Sequence, residues 1–70
     1  RKNMREVDAR GLSCPEPVML TEDALKSGKD PVRVLVSEPH QRMNVEKYAR
    51  DHGRKATSTP IDDGFAVVIE

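Results

Sequence analysis

Asp30-Pro31-Val32-Arg33-Val34-Leu35-Val36 is the most strongly patterned stretch of this chain. Its three valines alternate with Arg33 and Leu35, and β-branched residues of this kind fit a pleated surface. The Asp30-Pro31 pair in front is a turn signal that introduces a strand. Upstream, Met4 to Ala9 reads as a shorter strand, with Val7 and Ala9 on one face and Glu6 and Asp8 on the other. Between the two, Val18, Met19, Leu20, Ala24 and Leu25 recur at roughly helical spacing up to a stop at Gly28. A helix between two strands predicts parallel pairing through a right-handed crossover, because parallel neighbours cannot be joined by a tight hairpin.

Downstream, the spacing predicts a second helix from about Pro39 or His40 to His52. Val45, Tyr48, Ala49 and His52 share one of its faces, and Gly53 is its C-terminal cap. Lys55 to Pro60 is a polar strand suited to a sheet edge. Asp62-Asp63-Gly64 is a hairpin turn signal, and Phe65 to Ile69 is the last strand. The order βαβαββ specifies an α/β two-layer sandwich, with a four-stranded mixed sheet and both helices on one face. Arg33 and Leu35 share one side of their strand, so the other sheet face mixes polar and apolar character. Seventy residues make a single domain, 1–70, with a core from about residue 4 to 70.

Composition narrows the function. Lys plus Arg and Asp plus Glu number 12 each, and the aromatic residues are Tyr48 and Phe65. A balanced charge argues against direct binding of nucleic acid, which draws on a basic surplus. No apolar run approaches the ~20 residues that span a bilayer, and no signal peptide is visible, so a cytoplasmic protein without a membrane partner is expected. The single cysteine rules out an internal disulfide and a dithiol redox cycle.

That cysteine, Cys14, stands in Arg10-Gly11-Leu12-Ser13-Cys14-Pro15-Glu16-Pro17. Ser13 with Glu16 has the form of a capping box. Alternatively Cys14 caps the helix and Pro15 takes the first helical position, where proline is favoured. Either reading sets the thiol at a helix mouth, whose positive end favours a thiolate. Arg10 is the best local candidate for a cation beside it. Glu16 acts in the opposite sense, so a modest acidification is expected, which suits exchange because nucleophilicity falls as the pKa falls. Pro15 and Pro17 lack N–H donors and stiffen the first turn. Gly11 suits a positive φ or a close backbone approach, and Asp8 and Arg10 are placed to pair with each other.

Asp8-x-Arg10-Gly11-x-x-Cys14-Pro15-x-Pro17 followed by a helix resembles the signature of the TusA/SirA/YedF family of sulfur-carrier proteins. Met19-Leu20-Thr21, the Val32–Val36 strand, His52-Gly53 and the Gly64-Phe65 hairpin extend the similarity over residues 6 to 69. The Val7-Asp8-Ala9-Arg10-Gly11 opening looks most like the YedF-like branch, some of which is linked to selenium metabolism. The resemblance implies a sulfurtransferase-like carrier that holds a persulfide on Cys14 and relays sulfur in tRNA thiolation or in sulfur or selenium metabolism. Asp8, Arg10, Gly11, Pro15, Glu16 and Pro17 would be its supporting motif. It implies a sulfur-donor protein (a cysteine desulfurase or rhodanese-like protein) and a sulfur-acceptor protein, with no cofactor and no metal. The alternative is a non-catalytic protein-binding or regulatory module that retains the fold.

Other residues carry blander readings. One thiol and two distant histidines make poor zinc spacing. His52 suits the helix C-terminus as a dipole contact. His40 follows a strand end, as Cys14 does, and is a candidate neighbour of it. Met19 and Met43 read as filler. Arg42, Lys47, Arg50, Arg54 and Lys55 read as a solvated face.

Overall fold

The first strand and the polar third strand lie at the two edges of the sheet, with the second and fourth strands between them. A computed structural model describes residues 4–13, 15–28 and 30–70. It contains β1 (Arg5–Asp8), α1 (Glu16–Lys26), β2 (Val32–Val36), α2 (Pro39–Asp51), β3 (Ala56–Ile61) and β4 (Gly64–Ile69). β1 and β2 are parallel, while β4 runs antiparallel to both β2 and β3. The helices pack on the sheet and on each other. This is the expected βαβαββ sandwich with a mixed sheet.

Alternation along each strand divides the sheet into two faces. Val32, Val34 and Val36 pair with Ile69, Val67 and Phe65, and this side meets the helices. Val45 and Ala49 of α2, together with Ala24 of α1, close the core over it. Burying a Val or Ile side chain contributes about 1.5–3 kcal/mol, so this small set dominates the stability. On the opposite face Arg33 meets Glu6 in an ion pair. Leu35 and Ala66, paired with each other there, are nevertheless only 5% and 2% exposed.

Pro60 has no N–H to give a ladder, and it lies on the edge strand, where none is required. α2 ends in a Schellman arrangement. The N–H of Gly53 donates to Arg50 O at 3.0 Å and that of Arg54 to Ala49 O at 2.9 Å, with Gly53 at φ +74°. Of the four residues expected to share one face of α2, Val45 and Ala49 are buried. His52 is exposed and stacks on Tyr48, with ring centroids 4.1 Å apart. The buried face is Gln41, Val45, Glu46 and Ala49, two of them polar. Glu46 is kept ionised there: burial pushes its pKa up, but hydrogen bonds from Ser58 and Arg42 and the charge of Arg50 bring it below the usual value.

The turn between β3 and β4 leaves only Asp62 and Asp63 outside the pairing, since Ile61 pairs with Gly64. Neither aspartate has a positive φ, so this is not one of the primed turns usual for two-residue hairpins. Gly64 makes the difference. A Cβ on it would collide with the Val36 carbonyl oxygen and reach Ser37 Cα at 3.0 Å. The hairpin tip therefore rests directly on the C-terminal end of β2.

Candidate functional site

β1 and β2 are parallel, so the loops that leave them for α1 and α2 emerge at the same end of the sheet. Open α/β sheets commonly place their chemistry at this end. Cys14 lies outside the described residues; Ser13 and Pro15 on either side of it are within them.

The loop after β1 is tied at several points. Ala9 N–H extends the ladder by donating to Leu35 O at 2.8 Å. Gly11 then turns the chain at φ +79°, a conformation that disfavours residues with a Cβ. Its N–H donates to Ser37 Oγ at 2.8 Å. The Leu12 carbonyl accepts from Gln41 Nε2 at 2.6 Å. On the far side of Cys14, Glu16 N–H donates to Ser13 O at 2.8 Å.

α1 begins later than either capping scheme predicts. Its N-cap is Pro15, at φ −99° and ψ 17°, and Pro17 falls within the first two helical positions. Glu16 is therefore at the first helical position, not at the third where a capping-box carboxylate belongs. Prolines at the cap and in the first turn remove donors that a side-chain cap would otherwise satisfy. Pro17 is buried, whereas Pro15 and Glu16 are exposed. Thr21 Oγ1 donates to Pro17 O at 2.8 Å and closes the buried side of the first turns.

Asp8 and Arg10 pair, and the pair has a third member. Arg10 Nε and Nη2 donate to the two Asp8 carboxylate oxygens at 2.9 and 2.8 Å, and Arg10 Nη1 donates to both Asp63 oxygens at 3.2 Å. The Asp8 carboxyl is held at about 2, first by the Arg10 side-chain hydrogen bonds and then by the Arg10 backbone N–H, 3.1 Å from Oδ1. Arg10 itself is pushed further into its charged form by the two aspartates. The guanidinium expected to serve the thiol is thus occupied by two carboxylates. It bridges the end of β1 to the β3–β4 tip, across the level of the buried Leu35–Ala66 pair.

Gln41 was not legible as a site residue, nor was Ser37. Gln41 is 5% exposed, and both ends of its amide are hydrogen-bonded. Oε1 accepts from the N–H groups of Ser37 and Glu38, both at 3.2 Å, while Nε2 holds Leu12 O. Only this amide orientation matches donors to acceptors on both sides. The available signal was the Glu38-x-x-Gln41 spacing, a capping-box pattern without the usual Ser or Thr.

A shallow cavity of about 340 Å3 opens beside this loop, lined by Gly11, Leu12, Ser13, Ser37, His40 and Gln41. His40 is exposed and shares it with Ser13, the residue before Cys14. A larger hollow of about 580 Å3 lies at the other end of the helices, near Leu25, Tyr48 and His52. Within it Lys26 pairs with Glu22, and Arg54 donates to the Glu70 backbone carbonyl. Among the described residues no three His, Asp or Glu side chains gather as a metal site, and no helix is long and apolar enough to cross a membrane.

Of the basic residues on and after α2, Lys47, Arg50 and Lys55 are exposed as expected, whereas Arg42 and Arg54 are half-buried. Arg42 pairs with Glu46 at 3.1 Å and lies over the Phe65 ring at 5.3 Å, and Lys47 pairs with Asp51 at 2.8 Å. Met19 and Met43 are both exposed.

Comparison with known proteins agrees with this architecture. The family profile described as sulfurtransferase TusA matches residues 5–70. The crystal structure of a SirA-like protein from Desulfitobacterium hafniense superposes with a TM-score of 0.87 at 32% identity, covering 96% of this chain and 95% of that one. Curated proteins give no match.

Proposed function

From the premise that the chain belongs to the TusA sulfurtransferase family, we propose that Cys14 carries sulfur as a persulfide and hands it to a partner protein. The observation that carries the reading is the chain's only thiol, which follows a loop fixed by Gly11, Ser37 and Gln41. The Cys14 thiolate attacks the outer sulfur of a donor persulfide. A new S–S bond forms at Cys14, the donor's S–S bond breaks, and the donor leaves as a thiolate. An acceptor nucleophile then takes the same outer sulfur and releases the Cys14 thiolate. Sulfane sulfur moves in both steps, and neither needs a cofactor or an external oxidant.

The donor in this reading is a cysteine desulfurase or a rhodanese-like protein. The acceptor is a second sulfur-handling protein, in tRNA thiolation or in sulfur or selenium metabolism. A free thiol of this kind suits the reducing cytoplasm. Asp8, Arg10, Gly11, Pro15, Glu16 and Pro17 support the thiol by shaping the loop and the first helical turn.

Incubation with a cysteine desulfurase and cysteine, followed by intact-mass measurement, tests this. The expected result is a DTT-reversible gain of one sulfur that Cys14→Ala abolishes. No gain, or a gain retained by Cys14→Ala, overturns it. Full complementation of a deletion by Cys14→Ser would instead favour a binding module without sulfur transfer.

A further inference from the structure

The loop that precedes Cys14 is tied to its own helix at Ser13, whose carbonyl accepts from Glu16 N–H, and to the start of α2 at Gly11 and Leu12. Gly11 N–H is held by Ser37 Oγ, and Leu12 O by Gln41 Nε2. Gln41 is itself immobilised through the Ser37 and Glu38 N–H groups and by burial between the two helix starts. A primary amide is the side chain this position calls for: it must accept two N–H bonds at one end and donate to a carbonyl at the other. α2 needs only the accepting end, which caps its N-terminus. The donating end reaches across to Leu12, 29 residues away in sequence.

Resting on the reading that Cys14 is the working thiol, we infer that Gln41 and Ser37 are positioning residues, which hold Gly11-Leu12-Ser13 in place and thereby set the reactivity of the thiol that follows. Neither residue belongs to the Arg-Gly-x-x-Cys-Pro-x-Pro motif. The positive end of a helix dipole favours a thiolate only where the chain holds the sulfur near it, and a loose loop loses that hold.

The test uses the full chain and iodoacetamide, with alkylation of the single thiol followed by intact mass across pH. Ser37→Ala removes the acceptor for Gly11 N–H, whereas Ser37→Thr keeps a hydroxyl. Gln41→Glu keeps the accepting end but turns a carboxylate oxygen toward Leu12 O. Once protonated, its acid group can donate again. The expected result is alkylation about threefold slower at pH 7 for Ser37→Ala and Gln41→Glu, with the pH midpoint moving toward the ~8.5 of a free thiol. Ser37→Thr keeps the wild-type rate, and the deficit of Gln41→Glu closes as its carboxyl is protonated.

Circular dichroism and cooperative melting identify the variants that remain folded. Unchanged or faster alkylation in folded variants overturns the inference, and so does an equal loss in Ser37→Ala and Ser37→Thr. If Gln41→Glu does not fold, the Ser37 pair still tests the claim. Iodoacetamide reads the thiol whether or not it ever carries sulfur. A failed desulfurase assay with this alkylation pattern intact would therefore overturn the persulfide reading alone.

Discussion

The two helices start at the same end of the sheet from similar sequences, Ser13-Cys14-Pro15 for α1 and Ser37-Glu38-Pro39 for α2, yet they solve the same problem in opposite ways. Every helix start carries orphan N–H groups. α2 answers with a side chain: Glu38 is the cap in extended backbone, at φ −117° and ψ 149°, and Gln41 accepts its N–H. α1 answers by subtraction, with Pro15 at the cap and Pro17 in the first turn, so that two residues bring no donor at all. The capped start therefore stands on its own side chains. The subtracted start depends on neighbours, because Gly11 and Leu12 are held by Ser37 and Gln41. The difference makes the start of α2 a support for the loop that leads into α1.

The largest expected effect comes from undermining the support. Gly64→Ala drives a methyl group into the Val36 carbonyl at the base of Ser37, with the backbone at φ +156°. Overpacking against rigid backbone costs about 1–3 kcal/mol. For a domain of this size that lowers the melting temperature by roughly 4–8 °C per kcal/mol. Calorimetry should show a loss near the upper end, because backbone on both sides leaves little room to relax. Alkylation of Cys14 should slow as well, since Ser37 is displaced with β2. A wild-type melting temperature would mean that the hairpin tip does not rest on β2.

The prolines sharpen the comparison by a smaller amount. Pro17 is buried and Pro39 is exposed, although both stand in a first helical turn. Replacing a compatible proline costs about 0.4–1 kcal/mol through the unfolded chain alone. Pro17→Ala also removes buried methylene groups, at about 0.8 kcal/mol each. Pro17→Ala should therefore cost about 2 kcal/mol and Pro39→Ala about 0.5 kcal/mol in urea denaturation. Equal costs would show that the ring of Pro17 contributes nothing through packing.

These helix starts also mark how far the sequence could be read. The alternation of Val32–Val36, the Gly53 stop and the Asp62-Asp63-Gly64 turn act through local backbone physics, and they sufficed for the architecture. Ser13-x-x-Glu16 matches a capping box by residue type, but the cap lies at Pro15, so the helix begins beyond the serine. Glu38-x-x-Gln41 lacks the serine or threonine by which that pattern is recognised. Gln41 was hidden for a further reason: a polar residue within an amphipathic helix reads as surface, and its distant partner, the Leu12 carbonyl, is a backbone group that the fold alone brings near. Arg10 illustrates the same limit. Its pairing with Asp8 is local, while Asp63 reaches it only after the sheet has formed.

The smallest effect concerns the outer anchor of the same loop. Arg10 grips Asp8 through both guanidinium edge donors, and the Asp8 carboxyl titrates at about 2. An unfolded aspartate titrates near ~3.9. Because the folded value is the lower one, the stabilisation is complete above ~4 and is lost as the pH falls through about 2. Carboxyl carbon NMR should give the low midpoint in the wild-type protein and a return toward ~3.9 in Arg10→Gln. Asp63→Asn should leave the midpoint low, because Arg10 alone supplies the lowering at Asp8. A wild-type midpoint near ~3.9 would mean that Arg10 is free in solution and again a candidate cation for Cys14. Salt separates the two anchors further. The Asp8–Arg10–Asp63 bridge is solvent-facing and should weaken in high salt, whereas the buried amide of Gln41 carries no charge to screen. If the rate of Cys14 alkylation resists added salt, the hold on its loop comes from the start of α2.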